Sequence, residues 1–99
     1  MTNNVIVELK VLPCGTPTAS LSKYVKAVDE VIKKTPGIKY QITPMATIVE
    51  GKLDAVLELV KEIHEVPFKM GVPRVLTSVV IDDRRDTQIT MESKIKAVS

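Results

Sequence analysis

The sequence predicts an α+β domain with the element order β-α-β-β-α-β and a short C-terminal helix, on three observations. Val5, Val7, Leu9 and Val11 alternate with Ile6, Glu8, Lys10 and Leu12, which is the period of a strand. Apolar residues recur at helical spacing from Leu21 to Ile32 and again from Leu53 to Met70. Short alternating runs at 38–42, 46–50 and 74–82 separate and follow those stretches. Right-handed crossovers then set both main helices on one face of a four-stranded antiparallel sheet, the ferredoxin-like or split βαβ arrangement.

Each element has its own punctuation. Pro13-Cys14-Gly15-Thr16-Pro17-Thr18 cannot continue the first strand and predicts a loop. Ser20 is placed to cap the first helix, which carries Leu21, Val25, Val28 and Ile32 on its apolar face. Asp29 with Lys33, and Glu30 with Lys34, sit four apart and are expected on its solvent face. Pro36-Gly37 ends it. Ile38, Tyr40 and Ile42 mark the second strand, Pro44-Met45 a turn, and Ala46 to Glu50 the third strand, stopped by Gly51. Leu53, Leu57, Val60 and His64 form the expected face of the second helix, with Asp54 in its first turn. Pro67 is expected to kink or end it. Arg74 to Asp82 is the fourth strand, and Thr90 caps a last helix carrying Met91, Ile95 and Val98. All 4 glycines fall at element boundaries.

Ninety-nine residues hold one domain, 1–99, and no second core. With 44% hydrophobic and 26% charged residues the chain is expected to fold as a globule. A net charge of +2, with both signs interspersed, does not call for nucleic acid or an anionic membrane. Aromatic platforms are also lacking, because Tyr24, Tyr40 and Phe68 are the only aromatics. No apolar run is long enough to cross a bilayer. The start Met1-Thr2-Asn3-Asn4 has no basic region or cleavage site, so no secretion signal is expected. The single cysteine, Cys14, excludes an internal disulfide and suits a reducing, cytoplasmic compartment.

One feature does not suit a monomer. The first strand offers Ile6 and Leu12, and the fourth Leu76 and Val80, on the side away from the helices. A sheet apolar on both faces is covered on both, so the expected second cover is another subunit, in a homo-oligomer, most simply a tetramer built from dimers.

Few residues suggest chemistry. One histidine, His64, and one cysteine cannot form a metal set, and His64 reads as a packed, hydrogen-bonded residue. Cys14 has no nearby base to make it a nucleophile. Asp82, Asp83 and Asp86 are interleaved with Arg84 and Arg85, which predicts ion pairing at the strand end, with Arg74 included, rather than a cation site. No phosphate-binding glycine loop is present. Thr47 and Glu50 are left, around the third strand. The loop from Pro13 to Ser20 opens at the Thr47 end, so a pocket there could hold a small polar heterocycle, with the carboxylate accepting from an amino group. Strand parity puts Thr47 and Glu50 on opposite faces. Both reach one ligand only if the strand bends or another subunit contributes. The plain alternative is that Thr47 satisfies a turn and Glu50 precedes a helix start.

The motifs Pro13-x-Gly15-Thr16-x-x-Ala19-Ser20-x-Ser22-x-x-Val25 and Ala46-Thr47-Ile48-Val49-Glu50-Gly51 resemble those of the thiamine-binding proteins, whose third-strand motif usually reads Gly-Thr-x-x-Glu-Gly. Glu62-Ile63-His64-Glu65, Gly71-x-x-Arg74-Val75-x-Thr77, Ile81-Asp82-x-Arg84-x-Asp86 and Lys94-Ile95 match in order, so the resemblance spans nearly the whole chain. Ala46 in place of glycine, and Pro67, depart from the pattern. The resemblance implies a ferredoxin-like fold, homo-oligomers built through the open sheet face, no catalysis, no cofactor, and binding of thiamine or its hydroxymethylpyrimidine part. It implies Thr47, Glu50, Gly15, Thr16 and Ser20 as ligand-binding residues.

Overall fold

The computed structural model describes residues 3–99; the Met1-Thr2 start, read above for a secretion signal, lies outside them. Its elements are β1 (Val5–Cys14), α1 (Ser22–Lys34), β2 (Lys39–Ile42), β3 (Thr47–Gly51), α2 (Leu53–Lys69), β4 (Arg74–Asp82) and α3 (Met91–Ala97). The strands form one antiparallel sheet in the order β2-β3-β1-β4. This is the predicted ferredoxin-like fold, with both long helices on one face and the short C-terminal helix added.

The core lies between the sheet and the two long helices. Val5, Val7 and Leu9 of β1 and Val49 of β3 meet Val28 and Ile32 of α1 and Val56, Leu59 and Ile63 of α2. Ile32, Leu59 and Ile63 are fully buried, and burial of such a side chain stabilises by about 1.5–3 kcal/mol. Gly51 is required where β3 passes the turn before β2. A Cβ there would stand 2.7 Å from Ile38 Cδ1 and 3.2 Å from the Gly37 carbonyl oxygen.

Several local expectations change. The buried stripe of α2 is Val56, Leu59, Ile63 and Pro67, while Leu57 is exposed. On α1, Tyr24 is buried and Val25 exposed. Pro67 does not end α2, which runs on to Lys69. The proline is one turn from the helix end and fully buried, and its carbonyl accepts from Met70 and Val72 N–H, so packing and the closing turn offset its missing donor. Ser20 does not cap α1. Leu21 holds that position without a side-chain bond, and the Ser20 hydroxyl meets that of Ser22 at 2.9 Å. Thr90 does cap α3, in a reciprocal capping box with Ser93.

The expected second cover of the sheet is supplied in part by the chain itself. Its C-terminal segment covers one end of the far face, burying Ile6 with Ile89 and Met91 against Ile48. Leu12, Leu76 and Val80, toward the other end, remain exposed.

Candidate functional site

Beyond the Leu9–Thr47 pair, β3 gives way to the 43–46 turn while β1 continues to Cys14. A cavity of about 270 Å³ opens there, at the small end of the roughly 300–1,000 Å³ range of small-molecule pockets. Leu9, Val11 and Leu12 come from β1, Val25, Val28, Asp29 and Ile32 from α1, and residues 42–47 from the β2–β3 hairpin. Leu12, Val25, Ile42 and Met45 are among the exposed large apolar residues of the chain. All four line this cavity, which accounts for Val25, Ile42 and Met45, apolar side chains that no core covers.

Its polar centre is Asp29, only 7% exposed. Thr47, equally buried, donates its hydroxyl to Asp29 Oδ1 at 2.8 Å. Oδ2 has no protein partner among the described residues, yet no buried side-chain oxygen is left unpartnered, so Oδ2 reaches open space. A carboxylate taken this far from water requires donors or a cation. Expected above as half of a solvent-face pair with Lys33, Asp29 instead faces the cavity, and Lys33 pairs with Glu30 at 3.8 Å. A signal was available in the sequence. Asp29 stands four residues after Val25 and three before Ile32, on the same stripe of the helix.

Thr47 is thus the one residue of the expected set that lines the cavity. Glu50 lies on the far face, as strand parity requires, and β3 does not bend to bring the two together. Its buried carboxylate accepts the Met91 main-chain N–H at 2.7 Å, satisfying a donor in the first turn of α3. Gly15, Thr16 and Ser20 lie past the end of β1 and outside the lining. Gly15 takes a positive φ of 77° beside Pro73, and Thr16 donates to the Thr18 carbonyl at 2.8 Å.

The remaining candidates fall into structural roles. His64 Nδ1 and Thr77 Oγ1 are 2.6 Å apart, tying α2 to β4, and Phe68 meets the imidazole edge-on. Cys14 is half-buried, its thiol nearest the Leu12 carbonyl at 3.9 Å. Arg84 pairs with Asp86 and Arg85 with Asp83, as expected, but Asp82 pairs with Lys94 of α3. Arg74 joins no ion pair among the described residues. The guanidinium beside each holds the Asp83 and Asp86 carboxyls below the usual range. Lys39 does the same for Glu92, tying β2 to α3. Among the described residues no cluster could hold a metal ion, and no helix is long and apolar enough to cross a membrane.

Comparison with known proteins agrees with this architecture. The family described as thiamine-binding protein matches residues 7–99. The chain belongs to this family. It is 44% identical over 97 residues to the UPF0045 protein YqgV of Bacillus subtilis, covering 95% of this chain and 93% of that one. A solved structure of a hypothetical protein from Methanocaldococcus jannaschii superposes with a TM-score of 0.89 at 41% identity, over 97% of this chain and 96% of the other. A Thermotoga maritima protein named as a candidate in thiamine biosynthesis or salvage superposes with a TM-score of 0.79 at 27% identity, over 97% and 99%.

Proposed function

We propose that this protein is a non-catalytic, cytoplasmic binding protein for thiamine or its hydroxymethylpyrimidine part. The observation that carries the reading is the spare oxygen of buried Asp29 at the floor of an apolar cavity. An aminopyrimidine has a flat apolar ring for Val25, Val28 and Ile42 to enclose and an amino group for Asp29 to accept from. The cavity's modest volume suits that ring and leaves a cationic thiazolium at the mouth, where the carboxylate also favours it. Membership of the thiamine-binding family and the name of the Thermotoga relative support the same ligand class. The reading draws its polar contacts from Asp29 and Thr47, and leaves Glu50, Gly15, Thr16 and Ser20 to hold the fold. Calorimetry with thiamine, with hydroxymethylpyrimidine and with the thiazole alcohol tests it. The first two should bind and the third should not. No heat with thiamine at about 1 mM, a Kd limit equivalent to roughly −4 kcal/mol, would exclude the function.

Self-association belongs to the same proposal. Leu12, Leu76 and Val80 are 43%, 49% and 58% exposed on the part of the far face that α3 leaves bare, and β4 beside them is an unpaired edge. A homo-oligomer, in the simplest case a tetramer, would cover them. Light scattering should give a mass well above the 10.9 kDa of one chain. Val80→Lys should dissociate it, since an unpaired charge in such an interface costs about 3–5 kcal/mol.

A further inference from the structure

The main chain of β1 offers the cavity something its side chains do not. Thr43 N–H donates to the Ala46 carbonyl at 2.9 Å, which makes Thr43 and Ala46 a hydrogen-bonded pair of the β2–β3 hairpin. Along an antiparallel strand, successive residues turn their N–H and C=O to opposite sides. Thr47 therefore turns its main-chain groups away from β2 and toward β1, where its partner is Leu9. Leu9 faces β3, Lys10 and Leu12 face β4 opposite Ser78 and Leu76, and Val11 faces the β3 side again. At Val11, however, β3 has ended. The register stops at Leu9 and Thr47, and neither main-chain group of Val11 bonds to the 43–46 turn. Among the described residues its N–H and C=O have no partner, and Val11 lines the cavity.

We infer that the Val11 main-chain N–H and C=O are the specificity-determining edge of the site, pairing with a ring nitrogen and an adjacent amino group of the ligand. This rests on the aminopyrimidine reading above and extends it. One residue of a strand presents a donor and an acceptor side by side in one plane. A heterocycle with an acceptor nitrogen next to an exocyclic amino group presents the complement. An aminopyrimidine so placed continues the sheet as a further strand would, with its second amino hydrogen left for Asp29 Oδ2. The Val11 groups stand without a protein partner beside an apolar cavity, where a ligand that replaces water can pair with both. A ligand with only apolar or only accepting edges would leave the Val11 carbonyl or N–H unmatched. A strand of a second copy could pair with the same edge, and the experiment separates that occupant.

Amide hydrogen exchange followed by NMR on the full chain, with thiamine as the probe and its binding measured by calorimetry, tests the inference. In the free protein the Val11 amide should exchange at least about 100-fold faster than those of Lys10 and Leu12, which are held in the β4 ladder. Saturating thiamine should slow Val11 at least about tenfold. Val11→Pro deletes an N–H the sheet does not use, so the β4 ladder should survive while affinity falls at least about tenfold. If that variant does not fold, the exchange measurement on the parent chain still decides. Calorimetric binding with Val11 unprotected overturns this inference and leaves the binding function standing. A folded protein that binds no thiamine overturns the function and the inference with it. Val11 already protected in the free protein, and released on dilution, identifies a second copy's strand as the occupant and overturns it as well.

Discussion

Asp29 and Glu50 are equally buried, each 7% exposed, and they serve opposite faces of the sheet. On the helix side, Asp29 accepts from Thr47 through one oxygen and keeps the other at an open cavity. On the far side, Glu50 accepts the Met91 N–H, and α3 closes over it. Both are carboxylates beside the same strand with a single firm hydrogen bond. What separates them is the setting: Asp29 lines an apolar cavity, whereas Glu50 serves the first turn of α3. Burial of a charge identifies a residue the fold must satisfy, and only unfilled volume beside it makes a place for a ligand.

The largest effect that would break this comparison is on Asp29. Asp29→Asn keeps an oxygen for Thr47 but presents an amide to the ligand's amino group. Thiamine affinity should fall at least about tenfold, about 1.4 kcal/mol, with the thermal midpoint nearly unchanged. Calorimetry and thermal unfolding on the same sample show both, and an unaltered Kd would move the site elsewhere. Glu50→Ala should do the reverse. It strips a buried helix donor of its acceptor, which costs about 1–3 kcal/mol of stability, while affinity stays within about twofold of the parent. A loss of binding by a folded Glu50→Ala protein would place Glu50 in the site after all.

Thr47→Val is a finer cut. It removes the hydroxyl that orients Asp29 and keeps the shape of the side chain. We expect about 0.5–1.5 kcal/mol lost in stability and a drop in affinity smaller than that of Asp29→Asn. A Thr47→Val effect exceeding that of Asp29→Asn would mean that the hydroxyl, and not the carboxylate, meets the ligand. The smallest effect is acidification. Glu92, Asp83 and Asp86 lie below their ordinary values of 4.5 and 3.8 because Lys39, Arg85 and Arg84 donate to them. A lowered carboxylate contributes stability that is complete above its unfolded pKa and is lost as pH falls through the folded one. The α3 segment should therefore hold unchanged from neutral pH down to about 5 and loosen only below the ordinary carboxylate range. These groups are exposed, so the change is slight. Hydrogen exchange of the α3 amides against pH measures it, and loosening near neutrality would be the contrary result.

The order of elements, the fold class and the fourth strand's limits were legible in the sequence, because alternation and helical spacing record which side of each element is buried. The family was legible too, since its motifs keep their order along the chain. Of the cavity's lining, the sequence singled out only Thr47 as a candidate ligand residue. Asp29 looked like one member of a solvent-face pair because charges four apart suit an exposed helix face. Only the position of α1 over the end of β3 shows which way that face turns. Val25 looked like part of a buried helix face, Ile42 like a strand residue and Met45 like part of a turn, and only the stopping of β3 short of β1 leaves them around an empty space. The second cover of the sheet was read as another subunit, yet part of it is the C-terminal segment of the same chain, joined through Glu50.

The physical division follows from distance along the chain. Periodicity, turns, the Thr90 cap and the pairing of Arg84 with Asp86 depend on residues within a few positions of one another, and the sequence determined them alone. The Thr47–Asp29 bond spans 18 positions and the Glu50–Met91 bond 41. Such bonds form only where packed elements happen to meet, and the free edge at Val11 exists only because two strands of unequal length lie side by side. Tertiary structure decided which buried carboxylate faces a cavity, because what lies over each face of β3, α1 with Asp29 on one side and α3 on the other, is fixed only when distant elements pack.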